Sequence, residues 1–278
     1  MSKRRFWYQS AAPIRGLPHY RAALAAHALH ACPEGVDVTF NGVREERYHG
    51  RLPAELHRYP YAKFVLQMDS IEFAIEAEAN GFDAFIIGSF SEPFLTETRS
   101  VLDIPVVSLA EASLLTACSL AEQFALITLS PNYARRLRGV VRRHGLEGRL
   151  TDVFALGAVH DEGSVDAAFA SPQALIEDFS AVARKAVADG ADVVIPAEGL
   201  LSELLHANGI KTIDDAAVLD CVGAALLHAD MMVRLKTALG VGVGRRWAYA
   251  RPPADLLTEL RSGMDRLSKI SLPGSRAG

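Results

Sequence analysis

Residues 190–199 read GADVVIPAEG, and residues 81–90 read GFDAFIIGSF. Set one above the other, they share a helix-ending glycine, an aspartate, an apolar run, and then a small residue followed by a polar one. Each apolar run is short, continuous and bounded by turn residues, as a strand buried on both faces of a parallel sheet must be. The alignment sets Ser89 against Glu198, each just beyond the carboxyl end of its strand.

The elements around the two stretches also correspond. The first cycle opens with strand RFWYQS, ending near Gln9, followed by an Ala/Leu-rich helix after Pro18 and strand VDVTFNGV at 36–43. Charges, His and Tyr residues and two prolines between Glu45 and Pro60 predict a long surface loop. A helix from Met68 to Asn80, closed by Gly81, leads into DAFIIGSF, then strand IPVVSL and helix EASLLTACSLAEQ. The second cycle runs from strand QFALITLS through helix NYARRLRGVVRRHG, strand TDVFALGA, a helix over about 172–189, strand ADVVIPAE, helix GLLSELLHANG and the short strand KTID. A last helix is expected from about Ala216 to Leu239, and a loose tail after Ser268.

This order predicts an α/β fold of two pseudo-symmetric lobes with mostly parallel sheets and an active cleft between them. The expected division is 1–115 plus 216–278 for the first lobe and 116–215 for the second. Internal duplication accounts for the order; convergence on a common buried-strand pattern is the alternative. Ligands of open parallel sheets bind outside the carboxyl ends of the strands, so facing lobes would bring Ser89 and Glu198 into one cleft.

Composition narrows the functional classes. The 278 residues are 50% hydrophobic and 22% charged, with a formal charge of −4. That balance offers no general attraction to nucleic acid or to an acidic membrane. No apolar run approaches the roughly 18 residues of a membrane span, and the start MSKRRFWYQS lacks the apolar stretch of a signal peptide. Three cysteines without metal-like spacing fit a reducing compartment, so a soluble cytoplasmic protein is expected. GVGVG at 240–244 follows a helix rather than a strand, which argues against a dinucleotide loop. The basic helix RRLRGVVRRHG reads as a solvated face, and His27 with His30 lacks a third metal ligand.

Four segments in this order, GSFSEP at 88–93, IPVVSLAEAS at 104–113, FALITLSPNY at 124–133 and GADVVIPAEG at 190–199, resemble the aspartate/glutamate racemase superfamily, its hydantoin racemase branch above all. The similarity spreads over roughly residues 5–240. It implies a two-lobed fold, a small-molecule substrate, no metal or organic cofactor, and a homo-oligomer. In that family a cysteine follows each repeated strand; one thiolate removes the proton α to a carbonyl and the other thiol protonates the opposite face. This sequence departs at both places, with Ser89 and Glu198 where the cysteines belong, and Cys32, Cys118 and Cys221 match neither. Two-thiol racemisation is therefore excluded. The arylmalonate decarboxylases of the same superfamily are similarly one-sided, with hydroxyls and amides after the first strand and a single cysteine after the second.

The expected catalytic residues are therefore Glu198, as an acid/base whose pKa burial would raise, and Ser89, as a hydrogen-bond donor. The resemblance adds Gln9, Thr128, Ser130 and Tyr133 as substrate-binding groups, with Phe90 and Gly199 beside the two key positions. For Glu198 and Ser130 helix capping is the competing role. Glu92 and Glu111 are further carboxylates near strand ends, catalytic or structural. The expected chemistry is isomerisation by proton transfer α to the carbonyl of a small carboxylate or cyclic amide. Decarboxylation or hydrolysis at the same group, or binding without catalysis, are the alternatives.

Overall fold

The computed structural model describes residues 3–158 and 160–267. The first sheet holds β1 (Arg4–Ser10), β2 (Val36–Asn41), β3 (Ala84–Gly88) and β4 (Val106–Ser108), all parallel, in the order β2-β1-β3-β4. The second holds β5 (Phe124–Thr128), β6 (Leu150–Ala155), β7 (Val193–Pro196), β8 (Thr212–Ile213) and β9 (Ala216–Val218), in the order β6-β5-β7-β9-β8, with only β8 antiparallel. Setting β8 aside, both sheets place the second strand of their cycle before the first, then the third and the fourth. The repeat seen in the sequence is thus a repeat of topology. In each sheet the chain reverses direction between the first and third strands, which leaves a crevice at their carboxyl ends. Residues just past those ends are Ser89 after β3 and Glu198 after β7.

Strand alternation builds the cores. Phe6, Tyr8, Ala84 and Ile86 point from β1 and β3 into the main core, while Trp7, Phe85 and Ile87 point the other way into a smaller one with Ala74, Ala77 and Phe82. Every residue of β3, β5 and β7 is buried, because helices cover both faces. α1 (Pro18–Ala31) packs on α10 (Gly199–Ala207) and α11 (Cys221–Leu239), and α11 lies against β3, β4 and α6 (Leu109–Leu120). These helices tie the two sheets together.

Four expectations change. The predicted loop between Glu45 and Pro60 contains a 3-10 turn (Glu45–Tyr48) and helix α2 (Pro53–Leu56), and α3 (Pro60–Gln67) begins at its end. Both prolines occupy a first helical position, where the missing N–H costs nothing, so they start helices rather than break one. Two seven-residue helices were not foreseen, α5 (Leu95–Val101) and α8 (Glu162–Ala168); the second opens with a reciprocal cap between Asp161 and Ser164. The last long helix begins at Cys221 and not near Ala216, because Ala216–Val218 pair with β7 as a strand and Asp220 caps the helix through Val222 and Gly223 N–H. The second sheet thus runs past residue 215. A further helix, α12 (Ala254–Leu267), follows, and the tail after Ser268 lies outside the described residues. The other helices are α4 (Asp69–Ala79), α7 (Pro131–Arg143) and α9 (Gln173–Ala188).

Gly88, where β3 ends, is a point of close approach: a Cβ there would lie 2.6 Å from Tyr8 Cζ and 2.9 Å from the Gln9 carbonyl oxygen. Because one obstacle is backbone, Gly88→Ala is expected to lower stability by about 1–3 kcal/mol, read from the urea midpoint.

Candidate active site

A cavity lies where the strand ends of the two lobes meet, walled by Ser10, Gly88, Ser89 and Ser91 from the first lobe and by Glu198, Gly199 and Leu200 from the second. Tyr133 and Glu162 close another side, and Pro53, His57, Lys63 and Gln67 contribute from the segment carrying α2 and α3. Its volume is about 40 Å³, room for about three water molecules.

Glu198 is the residue before α10, in an extended conformation, and its side chain makes no capping hydrogen bond. The capping role therefore falls away; the carboxyl turns to the cavity and Oε1 accepts a hydrogen bond from Thr128 Oγ1 at 3.3 Å. The residue keeps some exposure to the cavity, but dense protein surrounds the carboxyl itself. Burial pushes its pKa up to about 8; nearby Glu162 adds to the rise, while the Thr128 hydrogen bond and Lys63 oppose it. With no side-chain cap, the first N–H groups of α10 stay available near Glu198, at the positive end of the helix dipole. Gly199 is required there: a Cβ would lie 2.8 Å from the Tyr20 hydroxyl oxygen and 3.3 Å from that of Tyr8.

Ser89 faces the same space. Its Oγ lies 3.1 Å from Ser91 Oγ, and Ser91 N–H donates to it at 3.4 Å. Among the described residues no imidazole or carboxylate contacts it, so it can donate a hydrogen bond but cannot act as a base. Tyr133 also reaches the cavity; burial, then the charges of Glu198 and Glu162, hold its hydroxyl far above its usual pKa and keep it a donor.

The remaining expected residues fall elsewhere. Thr128 is fully buried and meets the site through its hydrogen bond to Glu198. The Gln9 amide is consumed by structure: it donates to Gly42 O at 2.9 Å and Ser10 O at 3.1 Å, and accepts from Asn41 at 2.8 Å and Trp7 at 3.1 Å. It sits on an adjoining hollow that shares Ser10, Gln67 and Ser89 with the cavity. Phe90 is buried in the main core, and Ser130 precedes α7 without a side-chain cap; neither is on the cavity wall. Glu92 is structural, accepting from Ser108 Oγ and from Glu111 N–H and paired with His144 at 2.8 Å, while Glu111 pairs with Arg99.

Among the wall residues not foreseen are Lys63, His57 and Glu162. Lys63 sits among apolar neighbours on α3; burial, Arg136 and Arg143 lower its pKa to about 8, against the pull of Glu198. His57, hydrogen-bonded to Tyr48 at 3.0 Å, is lowered to about 4 by burial and by Lys63 and Arg136, so it is neutral. Glu162 is raised by burial, although the Ala54 N–H donates to its Oε2 at 3.3 Å. The Pro60 start of α3 and the DEGS cap of α8 were the available signals.

Among the described residues, one trio could offer metal ligands within 4.8 Å of one another: His27, His206 and Asp220. It lies away from the cavity. His27 is bound on both ring nitrogens, to Glu203 at 2.7 Å and Asp220 at 2.8 Å, and its ring stacks on His206 at 3.7 Å. Stacked rings direct their in-plane lone pairs along separate parallel planes, which suits a proton-bridged network rather than one ion. The two carboxylates outweigh burial and raise His27 to about 10, so it is charged and structural. His30 is exposed and takes no part.

The Asp/Glu/Hydantoin racemase family model matches residues 63–229. The chain belongs to that family. A hydantoin racemase of Pseudomonas sp. (strain NS671) is 28% identical over 186 residues, covering 66% of this chain and 71% of that protein. Allantoin racemase from Klebsiella pneumoniae shares the fold with a TM-score of 0.71 at 19% identity, over 98% of this chain and 97% of the other. Allantoin racemase from Pseudomonas fluorescens gives 0.66 at 21% identity, over 90% and 97%. Membership makes this protein an enzyme of the racemase or isomerase type acting on a small molecule. No helix among the described residues is long and apolar enough to cross a membrane.

The raised pKa of Glu198 has a thermodynamic signature. Between 4.5, its ordinary value, and about 8, the folded state holds a proton that the unfolded state has released. Stability therefore falls as pH rises through that window. Glu198→Gln removes this contribution, so the variant should gain on the wild type between about pH 5 and about pH 9, measured by urea unfolding at each pH.

Proposed function

We propose that this protein is a cofactor-independent isomerase that moves the proton α to the carbonyl of a small carboxylate or cyclic amide, with Glu198 as the acid/base. One observation carries the reading: a carboxyl that does not cap its helix and, among the described residues, forms no ion pair occupies the position after the second repeated strand, where burial brings it near neutrality. Such a group can both take and return a proton at working pH.

The surrounding groups suit an enolate. Ser89, Ser91 and the Tyr133 hydroxyl are donors on the cavity wall, and the α10 N–H groups lie beside them. Donors fixed in advance stabilise the oxyanion that forms as the α proton leaves. Thr128 orients the Glu198 carboxyl from behind. The relatives named for hydantoin and allantoin racemisation point to cyclic amides first.

A second reading is favoured by the hydroxyls at Ser89 and Ser91. With no base at that strand end, Glu198 alone would protonate a carbanion left by decarboxylation, or activate water. Either reading carries a small-molecule substrate and a cytoplasmic homo-oligomer without metal; three free cysteines suit a reducing compartment, and Leu115 and Met231, exposed on α6 and α11, offer a surface for a second copy.

Proton NMR in D₂O on hydantoins, amino acids, malonates and unsaturated diacids decides between them. Inversion with deuterium entering the α position, the inversion slowed about 100-fold or more in Glu198→Gln, supports the isomerase. New products without exchange support cleavage, and equal rates in the variant remove Glu198 from either scheme.

A further inference from the structure

Inversion at carbon needs proton exchange on both faces of a planar intermediate, and Ser89 cannot supply the second face. Apart from Glu198, the titratable side chains on the cavity wall are Tyr20, His57, Lys63, Tyr133 and Glu162. Burial keeps both tyrosines protonated far beyond neutrality. His57 is a weak base already engaged by Tyr48. Glu162 accepts from Ala54 N–H and stands in the same half of the chain as Glu198.

Lys63 differs from all of these. It arrives on α3, between β2 and β3 of the first sheet, whereas Glu198 follows β7 of the second. Among the described residues its ammonium makes no hydrogen bond or ion pair, although two carboxyls share the cavity. Its segment is fastened to the second lobe at two points ahead of α3: Arg136 donates to the His57 carbonyl at 2.8 Å, and Ala54 N–H to Glu162 at 3.3 Å. A half-buried ammonium without a protein partner is free to engage an occupant of the cavity.

We propose that Lys63 is the second proton-transfer group of this site, working across the cavity from Glu198 on the opposite face of the reacting carbon. The assignment rests on the isomerase reading. In one direction the Glu198 carboxylate takes the α proton, the C–H electron pair moves onto the carbonyl oxygen, and the Lys63 ammonium protonates the carbon from the other face, leaving a neutral amine. In the other direction the Lys63 amine removes the proton and the Glu198 acid delivers one. Both starting states carry one proton on the pair, so one site serves both enantiomers. The charges facing Lys63 suit this: Arg136 and Arg143 on α7 favour the free amine, and Glu198 favours the ammonium.

The test uses each enantiomer of benzylhydantoin in D₂O, with wild type, Glu198→Gln and Lys63→Arg. Arginine keeps the charge but does not release its proton. Wild type should exchange and invert both enantiomers. Each variant should lose inversion by about 100-fold or more yet keep exchange with one enantiomer, a different one for each. Equal slowing of exchange with both enantiomers by Lys63→Arg, or inversion close to the wild-type rate, would overturn the assignment. If that variant does not fold, Lys63→Ala with added ethylamine decides: recovered inversion supports the role, and none refutes it. A wild type that exchanges neither enantiomer, nor any of the other hydantoins, amino acids, malonates and unsaturated diacids, removes the isomerase reading itself, and Lys63 with it, which its own inactivity distinguishes from a failure of Lys63 alone.

Discussion

A carboxyl group removed from water is the constraint on which the site depends. Glu198 gives up most of its hydration and receives in return a single hydrogen bond from Thr128. One such bond does not replace the solvation of an anion, so the group holds its proton to about pH 8. Helix capping would have stabilised the anion instead, and the extended backbone before α10 directs the side chain away from that use. The stability lost by keeping an unpaired carboxyl inside the protein is the counterpart of the acid/base role proposed for it.

The two sheets explain why that carboxyl lies where it does. Both follow the same strand order, and both leave a crevice between their first and third strands. Helices α1, α10 and α11 join the lobes through a charged network of His27, Glu203 and Asp220, which holds the crevices face to face. The topology is symmetric while the chemistry is not: a hydroxyl follows one repeated strand and a carboxyl the other. A scaffold that can present groups from both halves accepts a substitution at either strand end and can draw a further group from the helical segment between β2 and β3.

Much of this was legible in the sequence, because the repeated strands are local and continuous. GFDAFIIGSF and GADVVIPAEG carry their own boundaries, so β3, β7, Ser89 and Glu198 could be placed by pattern alone. Lys63 and Glu162 could not, since their meeting in the cavity depends on the segment carrying α2 and α3 packing against the distant α7 and α8. The prolines at 53 and 60 misled for a definite reason: proline ends a helix from within but begins one at its first position. Gln9 and Ser130 stand at the expected strand ends, but Asn41 and Gly42 take up the amide of the first, and the second lies off the cavity wall.

The protonation state of Glu198 is the most direct measure of the account. Infrared difference spectra between wild type and Glu198→Gln isolate the carbonyl stretch of one protonated carboxyl, which can be followed with pH. The account predicts a band that persists through neutrality and disappears around pH 8. A band that is gone by about pH 5, as for a solvated glutamate, would show the carboxyl to be hydrated and would contradict its role as the buried acid/base.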